Sequence, residues 1–215
     1  MKPTKFKIPY DINLKSQEFV DVVNTIIKDY QIEEIVETGC FNGLGSTLVF
    51  AKTGKSVFSI ECNPFNVSNA SENLRNYDNV CIIHGLSIKR DDLILGIMNE
   101  EYSDEVIMDS RFPKVFYVKE IMQNVVAENV LMTLTQNFSR QLVFLDSAGG
   151  AGHIEYKNFM NLNDVFKHNK VLLLDDVNHV KHKRSLENLK ELYKVVNVSS
   201  DQRFAWVDLS KDNLK

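Results

Sequence analysis

Apolar residues recur along this chain in two rhythms. Between Gln17 and Tyr30, Phe19, Val22, Val23, Ile26 and Ile27 fall three and four residues apart, which predicts an amphipathic helix. The next apolar positions are continuous. Ile32–Val36 runs into Glu37-Thr38-Gly39 and predicts a first strand, and Val57–Ile60 predicts a second, ending at Glu61. Val80–Ile83, Leu142–Leu145 and Val171–Leu174 predict a third, a fourth and a fifth, the last two ending at Asp146 and at Asp175-Asp176. Strands apolar on both sides belong to a parallel sheet covered on both faces. Helical stretches between them supply the crossovers, among them Thr47–Ala51, and one opened by Asn63 as cap with Pro64 in its first position. Tyr193–Val198 and Phe204–Leu209, joined by a short polar turn, predict an antiparallel pair at the sheet edge. The expected fold is α/β, a doubly wound, mostly parallel sheet of seven strands with an antiparallel C-terminal pair, in one domain spanning 1–215.

One interval breaks the rhythm. Residues 84–141 are roughly twice what a single crossover helix and its loops require. Within them Val115, Val118, Met122, Val125 and Val126 keep helical spacing up to about Leu134, behind a stretch from Tyr102 to Phe116 that contains Arg111-Phe112-Pro113. The segment 89–140 is therefore expected to be an insertion between the third and fourth strands, either an extra packing helix or a lid over the carboxyl edge of the sheet.

Composition narrows the class without naming it. In 215 residues, 44% hydrophobic content supplies a core and excludes a disordered chain. The net charge of −4 argues against a dedicated nucleic-acid binder, which needs a basic face. The basic run Lys181-His182-Lys183-Arg184 reads as a solvated helix start. Cys40, Cys62 and Cys81 show no paired or zinc-type spacing and are expected to lie in or near the core. With no long apolar segment, the expectation is a cytoplasmic protein with no membrane association, and a homo-oligomer is compatible with it. Thr53-Gly54-Lys55-Ser56 mimics the tail of a phosphate loop, but it precedes a strand where such a loop precedes a helix.

The chemistry is expected where the strands end, because ligands of open α/β sheets bind beyond their carboxyl edge. The first strand runs into Glu37-Thr38-Gly39-Cys40-Phe41-Asn42-Gly43-Leu44-Gly45-Ser46, whose glycines let backbone approach a ligand. Glu61 ends the second strand where an acid would hold ribose hydroxyls, and His84-Gly85-Leu86-Ser87 ends the third in a small polar turn. Together with Asp146, these ends point to an adenosine-type ligand.

These residues resemble the class I S-adenosylmethionine-dependent methyltransferases. Glu37-x-Gly39-x-x-x-Gly43 followed by Ser46 looks like their first motif, and Ile60-Glu61-Cys62-Asn63-Pro64 is similar to the second strand's end in the catechol O-methyltransferase type. Gly85-Leu86-Ser87 matches that group's adenine turn; Val143-Phe144-Leu145-Asp146 and Leu172-Leu173-Leu174-Asp175-Asp176 match its metal-bearing strand ends. The resemblance covers about residues 30–90 and 140–180 plus the last strand pair, and it implies a Rossmann-like methyltransferase fold. It further implies that Glu37 and the backbone of Gly39, Cys40, Phe41, Asn42 and Gly43, with Ser46, hold the methionine part of S-adenosyl-L-methionine. Glu61, flanked by Cys62, would take the ribose hydroxyls, Gly85 and Ser87 the adenine. Asp146, Asp175 and Asp176 would bind Mg²⁺, which lowers the pKa of a coordinated hydroxyl and aligns it with the methyl group. Asp146 would thus serve cofactor, metal and catalysis together.

The pattern departs from the catechol type at one position that matters. Gly149 stands where those enzymes carry a Lys three residues after the fourth-strand Asp, inside the small-residue stretch Ser147–Gly152. A general base, where one is needed, must then come from elsewhere, with His153, Lys157 and His179 as candidates. Macrocin-type sugar O-methyltransferases share an acidic fifth-strand end, so the expected acceptor is a hydroxyl of a small molecule or a sugar, not nucleic acid. Two other readings stand beside this one. An NAD-dependent oxidoreductase would want Gly where Phe41 stands. A non-catalytic binding subunit that kept the fold would account for Gly149.

Overall fold

The computed structural model describes residues 16–99, 114–123, 127–147 and 151–215. The N-terminal basic stretch, Tyr102–Pro113, Val125, Val126 and Gly149 lie outside the described residues. Seven strands form one sheet: β1 (Glu34–Thr38), β2 (Ser56–Glu61), β3 (Val80–His84), β4 (Gln141–Leu145), β5 (Lys170–Leu174), β6 (Asn197–Val198) and β7 (Ala205–Asp208). Their order is β3-β2-β1-β4-β5-β7-β6. The first five strands are parallel neighbours, whereas β7 runs antiparallel to both β5 and β6. Register sets the ends level: Thr38 lies opposite Ile60 and Leu145, and Leu145 opposite Leu174. The polar residues that follow these strands therefore meet along one edge.

Helix α1 (Gln17–Asp29) begins where the Ser16 hydroxyl accepts from the Phe19 N–H, a cap that satisfies an otherwise orphan donor. Its apolar face carries Phe19 onto Phe50, Phe144 and Phe204, with ring centroids 5.4–6.0 Å apart. On the opposite face, α7 (Ala151–Met160) and α9 (Lys183–Leu192) place Tyr156, Phe159 and Leu189 against Val143, Leu172 and Val207. The central strands β4 and β5 are buried along their whole length, as a sheet covered on both faces requires. Among the described residues the remaining α-helices are α2 (Ser46–Ala51), α3 (Pro64–Asn73), α4 (Arg90–Asn99), α5 (Lys114–Gln123), α6 (Val130–Thr135) and the short α8 (Asp164–Lys167). Asn63 caps α3 as its sequence predicts, its side chain accepting from Phe65 and Asn66 N–H groups.

Four expectations need correction. The helical pattern reaching Leu134 is broken, because Ala127 pairs with Gly85 and Asn129 turns into the left-handed region at φ 61°. The Leu86 N–H donates to Ala127 O, and the Val130 and Leu131 N–H groups donate to Leu86 and Ser87 O, so this segment spends its backbone on the β3 exit turn. Helix α4 arises inside the insertion from Leu93 and Ile97, whose apolar stripe is too short to stand out in the sequence. Strand β3 is an edge strand with partial burial, and Cys81 on it is exposed, while Cys40 is buried. The last correction concerns Tyr193, which is not a strand residue. It closes α9 and bridges to Leu214, leaving β6 only Asn197 and Val198. Among the described residues, no helix is long and apolar enough to cross a membrane.

Candidate active site at the carboxyl edge

The turn after β1 is built from positive backbone angles. Gly39 and Gly43 have φ of 79° and 76°, and Phe41 between them has φ 51°. Gly39 is required twice over, since a Cβ there would stand 2.7 Å from the Asp146 carbonyl oxygen. Glu37 lies beneath this turn, fully buried. Its carboxylate accepts from Thr47 Oγ1 at 2.7 Å, from Ser59 Oγ at 2.6 Å and from the Ser46 hydroxyl. Burial pushes its pKa up and the three hydroxyls offset part of that. Glu37 and Ser46 thus bind each other and fix the start of α2.

Glu61 joins the first two strand ends. Its Oε2 accepts from the Phe41 N–H at 3.0 Å and its Oε1 from the Asn63 N–H at 2.9 Å. Burial raises its pKa to about 7, with a further push from Glu120 and opposition from the two N–H groups. Glu120 comes from α5 in the insertion and accepts from Asn63 Nδ2 at 2.6 Å, so the inserted helix reaches the rim of the β2 end. Cys62 follows half-buried, its carbonyl 3.1 Å from His84 Nε2.

The β3 turn is packed against the insertion, and a Cβ on Gly85 would meet Val130 Cγ2 at 2.8 Å. Ser87 donates its hydroxyl to Glu155, a buried residue of α7 that sequence reasoning missed. Glu155 also accepts from Thr38 Oγ1 at 3.1 Å and Ser147 Oγ at 2.6 Å, which gathers the ends of β1, β3 and β4 onto one carboxylate. Burial raises its pKa as well. The one signal available in the sequence is a hydroxyl residue at or within three positions past each of these strand ends, which gains meaning only when the sheet order brings them together.

Asp146, Asp175 and Asp176 converge as expected, with carboxylate oxygens within 4.8 Å of one another. Their oxygens are hard donors suited to a divalent ion, but a cation of the chain already stands among them. Lys181 Nζ lies 3.0 Å from Asp176 Oδ2, 3.5 Å from Asp175 Oδ2 and in contact with Asp146 Oδ1. Arg203 adds a second cation, its Nε 3.2 Å from Asp175 Oδ1 and its Nη2 3.4 Å from Asp176 Oδ1. Burial opposes the Lys181 charge, yet the three carboxylates hold its pKa above the ordinary lysine value. The same two cations outweigh burial and keep the Asp176 pKa low. This arrangement does not fit a resident Mg²⁺. The basic run Lys181–Arg184 is correspondingly not a solvated face throughout: Lys183 and Arg184 are exposed, but Lys181 and His182 are buried.

The base candidates separate. His179 stays at the acid cluster, its N–H donating to Asp176 O in the turn after β5. His153 points away into the α7–α9 contact, where its Nδ1 is 2.9 Å from Ser185 Oγ and its ring stacks on Tyr156. Burial and the nearby Arg184 and Lys157 charges lower its pKa to about 4. A cavity of about 390 Å³ opens between α9 and the β6–β7 turn, lined by Val177, Asn178, Lys190, Ser199, Ser200 and Gln202 among others.

A parallel sheet ordered β3-β2-β1-β4-β5, extended by an antiparallel β7 set between β5 and β6, is the class I methyltransferase fold. It differs from the all-parallel 3-2-1-4-5-6 order of dinucleotide oxidoreductases. Solved structures share this fold at low identity. The S-adenosylhomocysteine-bound methyltransferase PaMTH1 of Podospora anserina aligns with 93% of this chain and 81% of its own, at TM-score 0.55 and 15% identity. A candidate caffeoyl-CoA O-methyltransferase from Staphylococcus aureus aligns with 89% and 82% respectively, at TM-score 0.53 and 16% identity. Cofactor-bound Rv0187 from MTB aligns with 91% and 82%, at TM-score 0.51 and 15% identity. No protein-family profile matches the sequence, and no curated protein matches it.

Proposed function

We propose that this chain is an S-adenosylmethionine-dependent methyltransferase acting on a hydroxyl of a small molecule or sugar. The observation that carries the proposal is Glu61. It is a buried carboxylate at the end of the second strand, oriented by the Phe41 N–H of the glycine turn and the Asn63 N–H of the α3 cap. Those two bonds fix the carboxylate plane, leaving lone pairs for the paired hydroxyls of a ribose. The Gly39–Gly43 turn, leading into the α2 start that Glu37 anchors, would accommodate the amino-acid end, with Cys40, Asn42 and Cys62 alongside. Ser87 and Gly85 would shape the adenine side through the Glu155 network instead of by a direct hydroxyl contact. The cofactor, when bound, supplies an electrophilic methyl group on a sulfonium, so the protein's task is placement of the acceptor oxygen.

The acceptor would occupy the cavity that begins at Val177, next in the chain to Asp176, where Asn178 and Gln202 supply polar side chains for a hydroxyl pattern. His179 is the base candidate nearest that edge, whereas His153 is engaged with Ser185. Titration calorimetry with S-adenosylhomocysteine tests the reading. Binding in the micromolar range is expected, and Glu61→Ala should remove most of it. Absence of heat at high micromolar ligand would sink the proposal.

A further inference from the structure

We infer that Lys181 is the resident cation of the Asp146–Asp175–Asp176 cluster and that the protein works without a divalent metal at this edge. The argument begins with stoichiometry of donors. An ammonium has three N–H groups and no acceptor, and Lys181 Nζ faces one carboxylate oxygen from each of the three aspartates. Its placement bridges the ends of β4 and β5, and an ion coordinated by the same three carboxylates would have to occupy that space.

The position is also built, not incidental. Lys181 is 5% exposed, so its ammonium is not a surface group that happened to fold inward. Its stem passes over Gly152, where a Cβ would stand 2.8 Å from Lys181 Cγ and 2.9 Å from His182 Nε2. Any larger residue at 152 would push the lysine out. The backbone of the 179–183 turn is closed by His182 and Lys183 N–H groups donating to His179 O, which aims Lys181 back at the strand ends. Asp176 adopts φ 50°, a left-handed angle that costs a non-glycine residue about 1 kcal/mol or more. That angle puts its two carboxylate oxygens on Lys181 and Arg203.

Charge closes the argument. Three carboxylates against Lys181 and Arg203 leave at most one net negative charge, because burial and the neighbouring Asp175 and Asp176 push the Asp146 carboxyl up against the pull of Lys181. Such a site attracts a singly charged cation, as a sulfonium is, more than it rewards expulsion of Lys181 by a hydrated divalent ion. Hydrogen-bonded to Asp146 and Asp176 and ion-paired with Asp175, Lys181 acts as a positioning group that locks β4 to β5, and deprotonation of the acceptor falls to another group.

The inference concerns the ion alone and is read without cofactor, so it can fail while the methyltransferase proposal stands. Mn²⁺ binding to the intact chain is measured by electron paramagnetic resonance, alongside thermal unfolding with Mg²⁺ or chelator. The expected result is no stoichiometric Mn²⁺ site and an unfolding midpoint insensitive to either addition. Lys181→Met removes the resident charge without polar replacement. Its midpoint should drop, millimolar Mg²⁺ should restore part of the loss, and Mn²⁺ affinity should rise by about tenfold or more, given the removal of one positive charge from among the carboxylates. A stoichiometric Mn²⁺ site in the unaltered protein at micromolar affinity would overturn the inference, as would a Lys181→Met variant that folds but gains no Mn²⁺ affinity. If that variant does not fold, the measurement on the unaltered protein decides alone.

Discussion

Gly39→Ala is the substitution whose cost the structure specifies most closely. Two penalties add there. The residue sits at φ 79°, where a side chain costs about 1–2 kcal/mol. The new methyl would also stand 2.7 Å from Asp146 O, 3.1 Å from its carbonyl carbon and 3.2 Å from Ser147 Cα. These are backbone atoms at the exit of the fully buried β4, so they cannot swing aside as a side-chain tip would. Overpacking of that kind costs about 1–3 kcal/mol more. Gly54→Ala is the internal reference, since it has φ 72° and no atom within 4 Å of the added carbon. The two variants share the backbone strain and differ in the contact. Urea unfolding should place Gly54→Ala about 1–2 kcal/mol below the unaltered protein and Gly39→Ala about 2–5 kcal/mol below it. In thermal unfolding, each kcal/mol corresponds to about 2–4 °C for a chain of this size. S-adenosylhomocysteine affinity should fall in Gly39→Ala alone, because the turn must move off β4. Equal losses in the two variants would refute the claim that the β1 turn and the β4 exit are in backbone contact.

Three further outcomes follow from the same geometry. Glu61 has a folded pKa near 7, above the unfolded value of about 4.3. Its contribution to stability of the unbound protein is therefore full below the unfolded value and is lost as pH rises through about 7. Ribose binding needs the ionised form, so S-adenosylhomocysteine affinity should weaken by up to about tenfold per unit as pH falls below 7. Glu61→Gln should bind weakly at every pH, and a pH-independent affinity in the unaltered protein would contradict the assignment. Glu155 is raised by burial too, so Glu155→Gln should flatten the decline of stability with rising pH, measured by urea unfolding across a pH series; an unchanged slope would show that Glu155 does not titrate in that range. Phe19→Ala removes a ring in contact with Phe50, Phe144 and Phe204, and should cost about 3–5 kcal/mol in the same assay without altering cofactor affinity per folded molecule.

The strands were legible because burial on both sheet faces leaves continuous apolar runs, and β4 and β5 are buried from first residue to last. Strand ends were legible for the same reason, since Glu61, Asp146 and Asp175 are abrupt polar stops. The insertion was harder to read. Its helices α4 and α5 build a satellite core with the start of α7 from Leu86, Leu93, Ile97, Ile121 and Ala151 that no single periodic stretch announces. The break at Ala127–Asn129 depends on pairing with Gly85, a contact set by tertiary placement and invisible to spacing. The partners of the acids were equally hidden. Lys181 sits in a basic run that looks solvated, and only the closed 179–183 turn shows that its first two residues are turned inward. Glu155 reads as an ordinary polar position of an amphipathic helix until Thr38, Ser87 and Ser147 are seen around it.

How each acid at this edge is answered separates scaffold from ligand site. Glu37 and Glu155 are sealed at 0% and 1% exposure, and each takes three hydroxyl donors, close to the roughly four lone-pair positions a carboxylate offers. Hydroxyl donors let these groups remain buried without a counter-charge, and they tie helix starts and strand ends together. The three aspartates are answered by Lys181 and Arg203, which joins β4, β5 and the segment entering β7 into one ionic knot. Glu61 differs from both. Its main donors are backbone N–H groups on two different turns, with Asn66 alongside, and its residual exposure of 7% lies near α5, which approaches through Glu120. A buried carboxylate that is oriented but not sealed is costly to an empty protein and favourable to one holding a pair of hydroxyls, since the ligand supplies donors where water access is poor. The raised pKa is the trace of that cost, and it marks Glu61, more than the metal-like aspartates, as the residue through which this edge recognises a ligand.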